Sequence, residues 1–117
     1  MPNLIFSRAL TANQLADNPL SGWQYEYVPI MYGRGAVVDV LIRATTTGVR
    51  LTLYTGSTTV VQRSPVQGGG TAGVTPSRLN TQPLTFLAAP NDRILFQVDE
   101  VAGGTPTYDG IISVEPL

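Results

Sequence analysis

Apolar and polar residues alternate along most of the chain in short runs, and Gly, Pro and Asn separate the runs. Period-2 alternation bounded by turn formers predicts β-strands. Asn3–Leu10 (NLIFSRAL) reads as the first strand, and Thr11–Ser21, with its Asn18-Pro19 turn, as a loop. In Gly22–Ile30 (GWQYEYVPI), Trp23, Tyr25 and Tyr27 fall on one face of a predicted strand and Gln24 and Glu26 on the other. Pro29 cannot donate to a ladder, so this strand ends there or lies at a sheet edge. Ala36–Arg43 (AVVDVLIR) is apolar on both faces apart from Asp39 and Arg43, which predicts a strand covered on both sides. Val49–Tyr54 and Thr58–Val66 flank Thr55-Gly56-Ser57 and read as a β-hairpin. Leu84–Ala88, Arg93–Val101 and Tyr108–Glu115 complete the set. No segment has a helical period and no internal repeat is visible.

This pattern predicts an all-β fold in a single domain spanning residues 1–117: an antiparallel β-sandwich of about eight strands, jelly-roll-like. Strand count does not fix topology, so other sandwiches stay open. Residues 1–12 read as a possible arm and 67–82 as a long Gly/Pro-rich loop. With 117 residues, 43% of them hydrophobic, the chain is long enough to build its own core without staples.

Composition removes whole classes of chemistry. The chain has no Cys and no His, and all seven basic residues are Arg. Disulfides, thiolate metal sites, cysteine nucleophiles, imidazole bases and lysine Schiff bases are therefore excluded. The net charge of −1 provides no basic field for nucleic acid. No apolar run is long enough for a membrane-spanning helix, and the start of the chain does not read as a signal peptide.

One motif asks for a decision. Gly68-Gly69-Gly70-Thr71-Ala72-Gly73 fits G-x-G-x-x-G, and Asp92 follows about 20 residues later. That fingerprint works only when its glycines open a crossover helix of ~10 residues or more. Here Pro76 and Pro83 leave room for two helical turns at most, and the rest of the chain reads antiparallel. Without lysine a phosphate-binding P-loop fails as well. No nucleotide and no other cofactor is expected. Gln67–Gln82 reads instead as an extended, mobile connection, either lying along a neighbouring subunit or free at the surface.

The remaining candidates are acids, aromatics and arginines. Asp92, Asp99, Glu100 and Asp109 crowd the last third of the chain, but Asp99 and Glu100 are adjacent in a strand and point to opposite faces. The acids sit at strand ends or turns, where solvated carboxylates are normal, so no catalytic pair is expected. The same acids with Asn91 offer oxygen ligands for Ca²⁺, but no D-x-[DN]-x-[DN]-G run accompanies them, and no metal site is expected. The row Trp23, Tyr25 and Tyr27, with Tyr32 nearby, is either core or a partner surface. Arg34 lies between two glycines and reads as an exposed anchor; Arg78 is the one arginine of the long loop. The partner-interface candidates are thus Trp23, Tyr25, Tyr27, Tyr32, Arg34, Gly68, Gly69, Gly70 and Arg78.

Three stretches carry a resemblance. Gly22-Trp23-Gln24-Tyr25-Glu26-Tyr27, the run Arg63-Ser64-Pro65-Val66-Gln67-Gly68-Gly69 through Thr75-Pro76-Ser77, and Val98-Asp99-Glu100-Val101-Ala102-Gly103 resemble small virion proteins of tailed bacteriophages taken to be capsid decoration (cement) proteins. The resemblance implies a non-enzymatic β-sandwich on the capsid exterior, made in the host cytoplasm. Its partner would be the major capsid protein, and it would form a homo-oligomer, dimer or trimer, that clamps the shell. Its N-terminal residues 1–12 and its long loop, 67–82, would order on contact. A carbohydrate- or receptor-binding module of a tail fibre or spike is the alternative, with the aromatic row stacking on sugar rings.

Overall fold

Wherever β-branched and aromatic residues alternate with polar ones the chain is extended, with one exception. The computed structural model describes residues 3–79, 81 and 83–117. Among these residues there are seven strands and no helix: β1 Asn3–Ala9, β2 Ala36–Ala44, β3 Val49–Thr55, β4 Thr58–Pro65, β5 Leu84–Ala88, β6 Ile94–Glu100 and β7 Thr107–Pro116. They form a four-stranded sheet ordered β1-β7-β2-β5 and a three-stranded sheet ordered β4-β3-β6. Every pairing is antiparallel.

The two sheets share one core, in a β-sandwich-like arrangement. Phe6, Val38, Val40, Ile42, Ile112 and Val114 of the first sheet cluster with Leu51, Leu53, Ile94, Phe96 and Val98 of the second. The ring of Phe6 meets Phe96 edge-on at 6.2 Å and Tyr108 at 5.9 Å. Gly110 makes this possible. A Cβ there would lie 2.5 Å from Phe6 Cζ and 2.6 Å from the Leu41 carbonyl oxygen, so only glycine admits the Phe6 ring.

The exception is Gly22–Ile30, which the aromatic alternation predicts as a strand. It folds instead as successive turns, with Trp23 N–H donating to Leu20 O, Glu26 N–H to Trp23 O and Tyr32 N–H to Pro29 O. Leu20, just before this stretch, and Val28 within it are fully buried, and the three rings are not. Burying those two anchors decides the local path; the 23/25/27 alternation does not. The stretch still follows β6: Asp17 bridges Val98 and Tyr27 bridges Arg93, both antiparallel.

Of the possible arm, Met1 and Pro2 lie outside the described residues, and Asn3–Ala9 is paired in register with Thr107–Ser113 of β7. Of the long loop, Asn80 and Gln82 lie outside them.

Candidate interaction surfaces

The irregular stretch between β1 and β2 closes one open side of the sandwich, and buried carboxylates hold it there. Asp17 exchanges two backbone hydrogen bonds with Val98 of β6. Its side chain accepts from Arg8 Nε at 2.8 Å and Nη2 at 2.9 Å, and from the Tyr108 hydroxyl at 2.6 Å. Burial, followed by the bond to Asp17, raises the Tyr108 phenol well above its ordinary value. Asp99 accepts from Ala16 N–H at 2.8 Å and Glu100 from Asn13 N–H at 3.0 Å. Asn13 and Ala16 have φ of 58° and 56°, a conformation non-glycine residues adopt at some expense, and these two bonds hold them in it. Glu100 also accepts from Ala102 at 3.0 Å and Gly103 at 2.7 Å. These backbone donors, Asn13 first, hold its carboxyl below the usual carboxylate range, against a burial effect of opposite sign.

Asp99 and Glu100 are therefore not solvated strand-end acids: both are buried and bind backbone. Asp109, also buried, accepts from Gly73 N–H at 3.2 Å, and the half-buried Asp92 accepts from Ala89 N–H at 3.2 Å.

The glycine-rich run is also pinned. Ala44 N–H donates to Gln67 O and Gly70 N–H to Ala44 O, both at 2.9 Å, and Arg43 Nε donates to Gly68 O at 3.2 Å. A Cβ on Gly68 or Gly70 would lie 3.1 Å from the backbone of Thr46 or Ala44, so the close approach favours glycine. Gly69 and Gly73 have φ of 82° and 81°. Arg78 reaches Asp39 of β2 at 3.0 Å. By ladder register Arg43, Asp39 and Asp109 all lie on the outer face of the four-stranded sheet, so residues 68–78 form a strap across that face. Leu41, on the same outer face, is only 9% exposed, and Asp109 4%.

The candidates thus separate into two places. Gly68, Gly69, Gly70 and Arg78 belong to the strap. Arg34 precedes the start of β2 and the glycines sit at its end, about 30 Å away at ~3.3 Å per residue. Trp23 and Tyr32 are half-buried and pack on the core. Tyr25 lies 5.6 Å from Trp23 at an angle of 58°, so these two rings make no flat platform. Tyr27 is exposed, with the Arg93 guanidinium 5.8 Å from its ring centre and paired to Glu26 at 2.7 Å.

Sequence reasoning missed three residues here. Leu15 is 65% exposed, Ile30 78% and Met31 83%. Ile30 and Met31 continue from the exposed Tyr27 at the Arg93 end of β6, whereas Leu15 lies between residues bonded to Glu100 and Asp99 at its other end. The signal for Ile30 and Met31 is their place between Pro29 and Tyr32-Gly33: a turn offers a bulky apolar pair no interior to enter. Arg34 follows them and, alone among the arginines of the described residues, makes no hydrogen bond or ion pair. Among the described residues no three acids converge as a metal would require. Compared with protein families, curated proteins and solved structures, the chain gives no match.

Proposed function

We propose that the chain is a bacteriophage virion protein of the decoration, or cement, type, which binds the outer surface of the major capsid protein shell and stabilises it. The observation that carries this reading is a preorganised apolar surface. Tyr27, Ile30 and Met31 are exposed on a segment that the Glu26–Arg93 pair and the backbone bonds of Val28 with Asn91 and Asp92 hold in place. Exposed apolar side chains concentrated on one segment mark a partner site. A segment already fixed loses little entropy on binding. Arg34 beside them supplies a cation for an acidic group on the shell. Repetition around the shell makes modest affinity per copy sufficient, through avidity. The virion resemblance of the three quoted stretches points the same way.

We read the order β1-β7-β2-β5 over β4-β3-β6 as a jelly roll in which the turn-rich 10–35 stretch stands in place of the second strand. The two bridges to β6 support this, because they lie where the second strand would pair. A sugar-binding module is less well supported, because it needs a flat exposed aromatic face and Trp23 leans on the core.

The test is co-sedimentation of the purified chain with phage shells lacking their decoration protein, followed by heating of the shells. Saturable binding and a higher disruption temperature are expected. Binding to glycans but to no shell would replace this reading with the sugar-binding one.

A further inference from the structure

The four-stranded sheet ends at β1, and among the described residues the free side of β1 is a regular, unblocked edge. Leu10 N–H donates to Pro106 O at 2.8 Å, and Phe6 pairs with Gly110 in the same register. In an antiparallel ladder alternate residues bond to the same neighbour. Leu4, Phe6 and Arg8 are therefore in phase with Leu10 and bond to β7, while Asn3, Ile5, Ser7 and Ala9 aim their N–H and C=O groups away from it.

The other edges of the sandwich are protected. β4 shifts register twice, holds Arg63 at φ 46° and ends in Pro65. β5 has five residues. The free side of β6 is taken by Gln14, Asp17 and Glu26. β1 runs seven residues in unbroken register with no proline, and its single charge, Arg8, is occupied by Asp17. A long, flat edge with none of the usual blocking devices is a template for another strand.

We propose that β1 pairs with β1 of a second copy of this chain, antiparallel across a two-fold axis at Phe6, joining the two four-stranded sheets into one of eight strands. The occupant follows from self-complementarity. In this register Asn3 faces the partner's Ala9 and Ile5 the partner's Ser7, and all four residues carry free backbone groups. Each such pair exchanges two hydrogen bonds, so the edge supplies up to about eight. No like charges meet, because Arg8 falls opposite the partner's Leu4. Ile5, 62% exposed on the outer face, and Leu4, half-buried at the rim of the core, are covered. A two-fold contact uses the same patch on both subunits, which a strand whose single charge is already paired permits. This surface is separate from the one that faces the shell in the reading above, and it stands or falls independently.

The test is sedimentation equilibrium of the purified full chain over a wide concentration range, with three variants. Ser7→Pro removes an N–H that points to the free edge and leaves the β7 ladder intact. Ile5→Lys puts a charge beside the pairing. Leu87→Lys alters the opposite edge of the same sheet as a control. The wild type and Leu87→Lys are expected to move from one to two chain masses as concentration rises. Ser7→Pro and Ile5→Lys should shift that transition at least tenfold upward in concentration, with unchanged circular dichroism. A wild type that stays at one mass, a limiting mass of three chains, or pairing that survives both β1 variants overturns the proposal. Intact pairing with no binding to shells would leave it standing and refute the shell reading.

Discussion

The hydroxyl of Tyr108 donates a 2.6 Å hydrogen bond to the carboxylate of Asp17, across 91 positions of sequence. Asp17 lies in an irregular stretch and Tyr108 near the start of β7. With Arg8 of β1 on the same carboxylate, one side chain ties three parts of the chain together.

Removing that carboxylate leaves a buried hydroxyl without a partner. Asp17→Ala should lower the unfolding free energy by about 2–3 kcal/mol. Tyr108→Phe removes the hydroxyl but leaves the Arg8–Asp17 pair, and should cost about 1 kcal/mol. Urea denaturation of the two variants checks the order. A larger effect for Tyr108→Phe would show that the Arg8–Asp17 pair is of no use without the phenol.

The Tyr108 phenol binds its proton more tightly in the folded chain than its ordinary value of 10.0 implies. Its contribution to stability is fully present below pH 10.0 and is lost as pH rises beyond it. The difference in phenolate absorbance between wild type and Tyr108→Phe should develop only with loss of the folded circular dichroism signal. Ionisation of Tyr108 in the still-folded chain would contradict this.

Glu100 behaves in the opposite sense. Its carboxyl is lower in the folded chain than the reference 4.5, so its contribution is present above that pH and is lost as pH falls through the lower folded value. Glu100→Gln should melt at a lower temperature at neutral pH and lose the part of the acid dependence that comes from this group. Hydrogen exchange at Asn13, Ala102 and Gly103 should quicken in the variant at neutral pH.

Gly110→Ala places a methyl group against the Phe6 ring and the Leu41 carbonyl. Overpacking of this kind should destabilise by about 2–3 kcal/mol. Gly73→Ala meets open space but keeps φ at 81°, so it should cost only about 1 kcal/mol and loosen the strap. Limited proteolysis within residues 71–79 should rise for Gly73→Ala before global unfolding begins.

On the shell-binding reading, Met31→Glu and Arg34→Glu should each weaken co-sedimentation with shells at least tenfold while leaving the melting temperature within a degree or two. Both side chains are exposed, and surface changes away from structural contacts usually alter stability by less than ~0.5 kcal/mol. A change at Leu79, exposed just beyond the strap, should leave binding unaffected.

Seven strands were legible because their residues alternate with a period of two, and that periodicity survives into the fold as inward Val38, Val40, Phe96, Val98, Ile112 and Val114. The hairpin at Thr55–Thr58 was legible from its glycine turn. The candidate site was legible only in part. Arg34 stands exposed, as its flanking glycines suggest, whereas the aromatic row dissolved because Leu20 and Val28, eight residues apart, took the interior.

Taken alone, the sequence determined the fold class, through its periodicity, and the chemistry the chain lacks, through the absence of Cys, His and Lys. It also excluded a dinucleotide loop, since Pro76 and Pro83 leave no space for the helix. Tertiary structure decided where the polar groups go. Whether an acid is solvated or buried against backbone depends on which distant loop arrives beside it, as Asn13 does at Glu100 and Gly73 at Asp109. Such partners lie 36 to 87 positions apart. Local pattern carries no record of them, because hydrogen bonds at that range are set by how the two sheets bring their connections together.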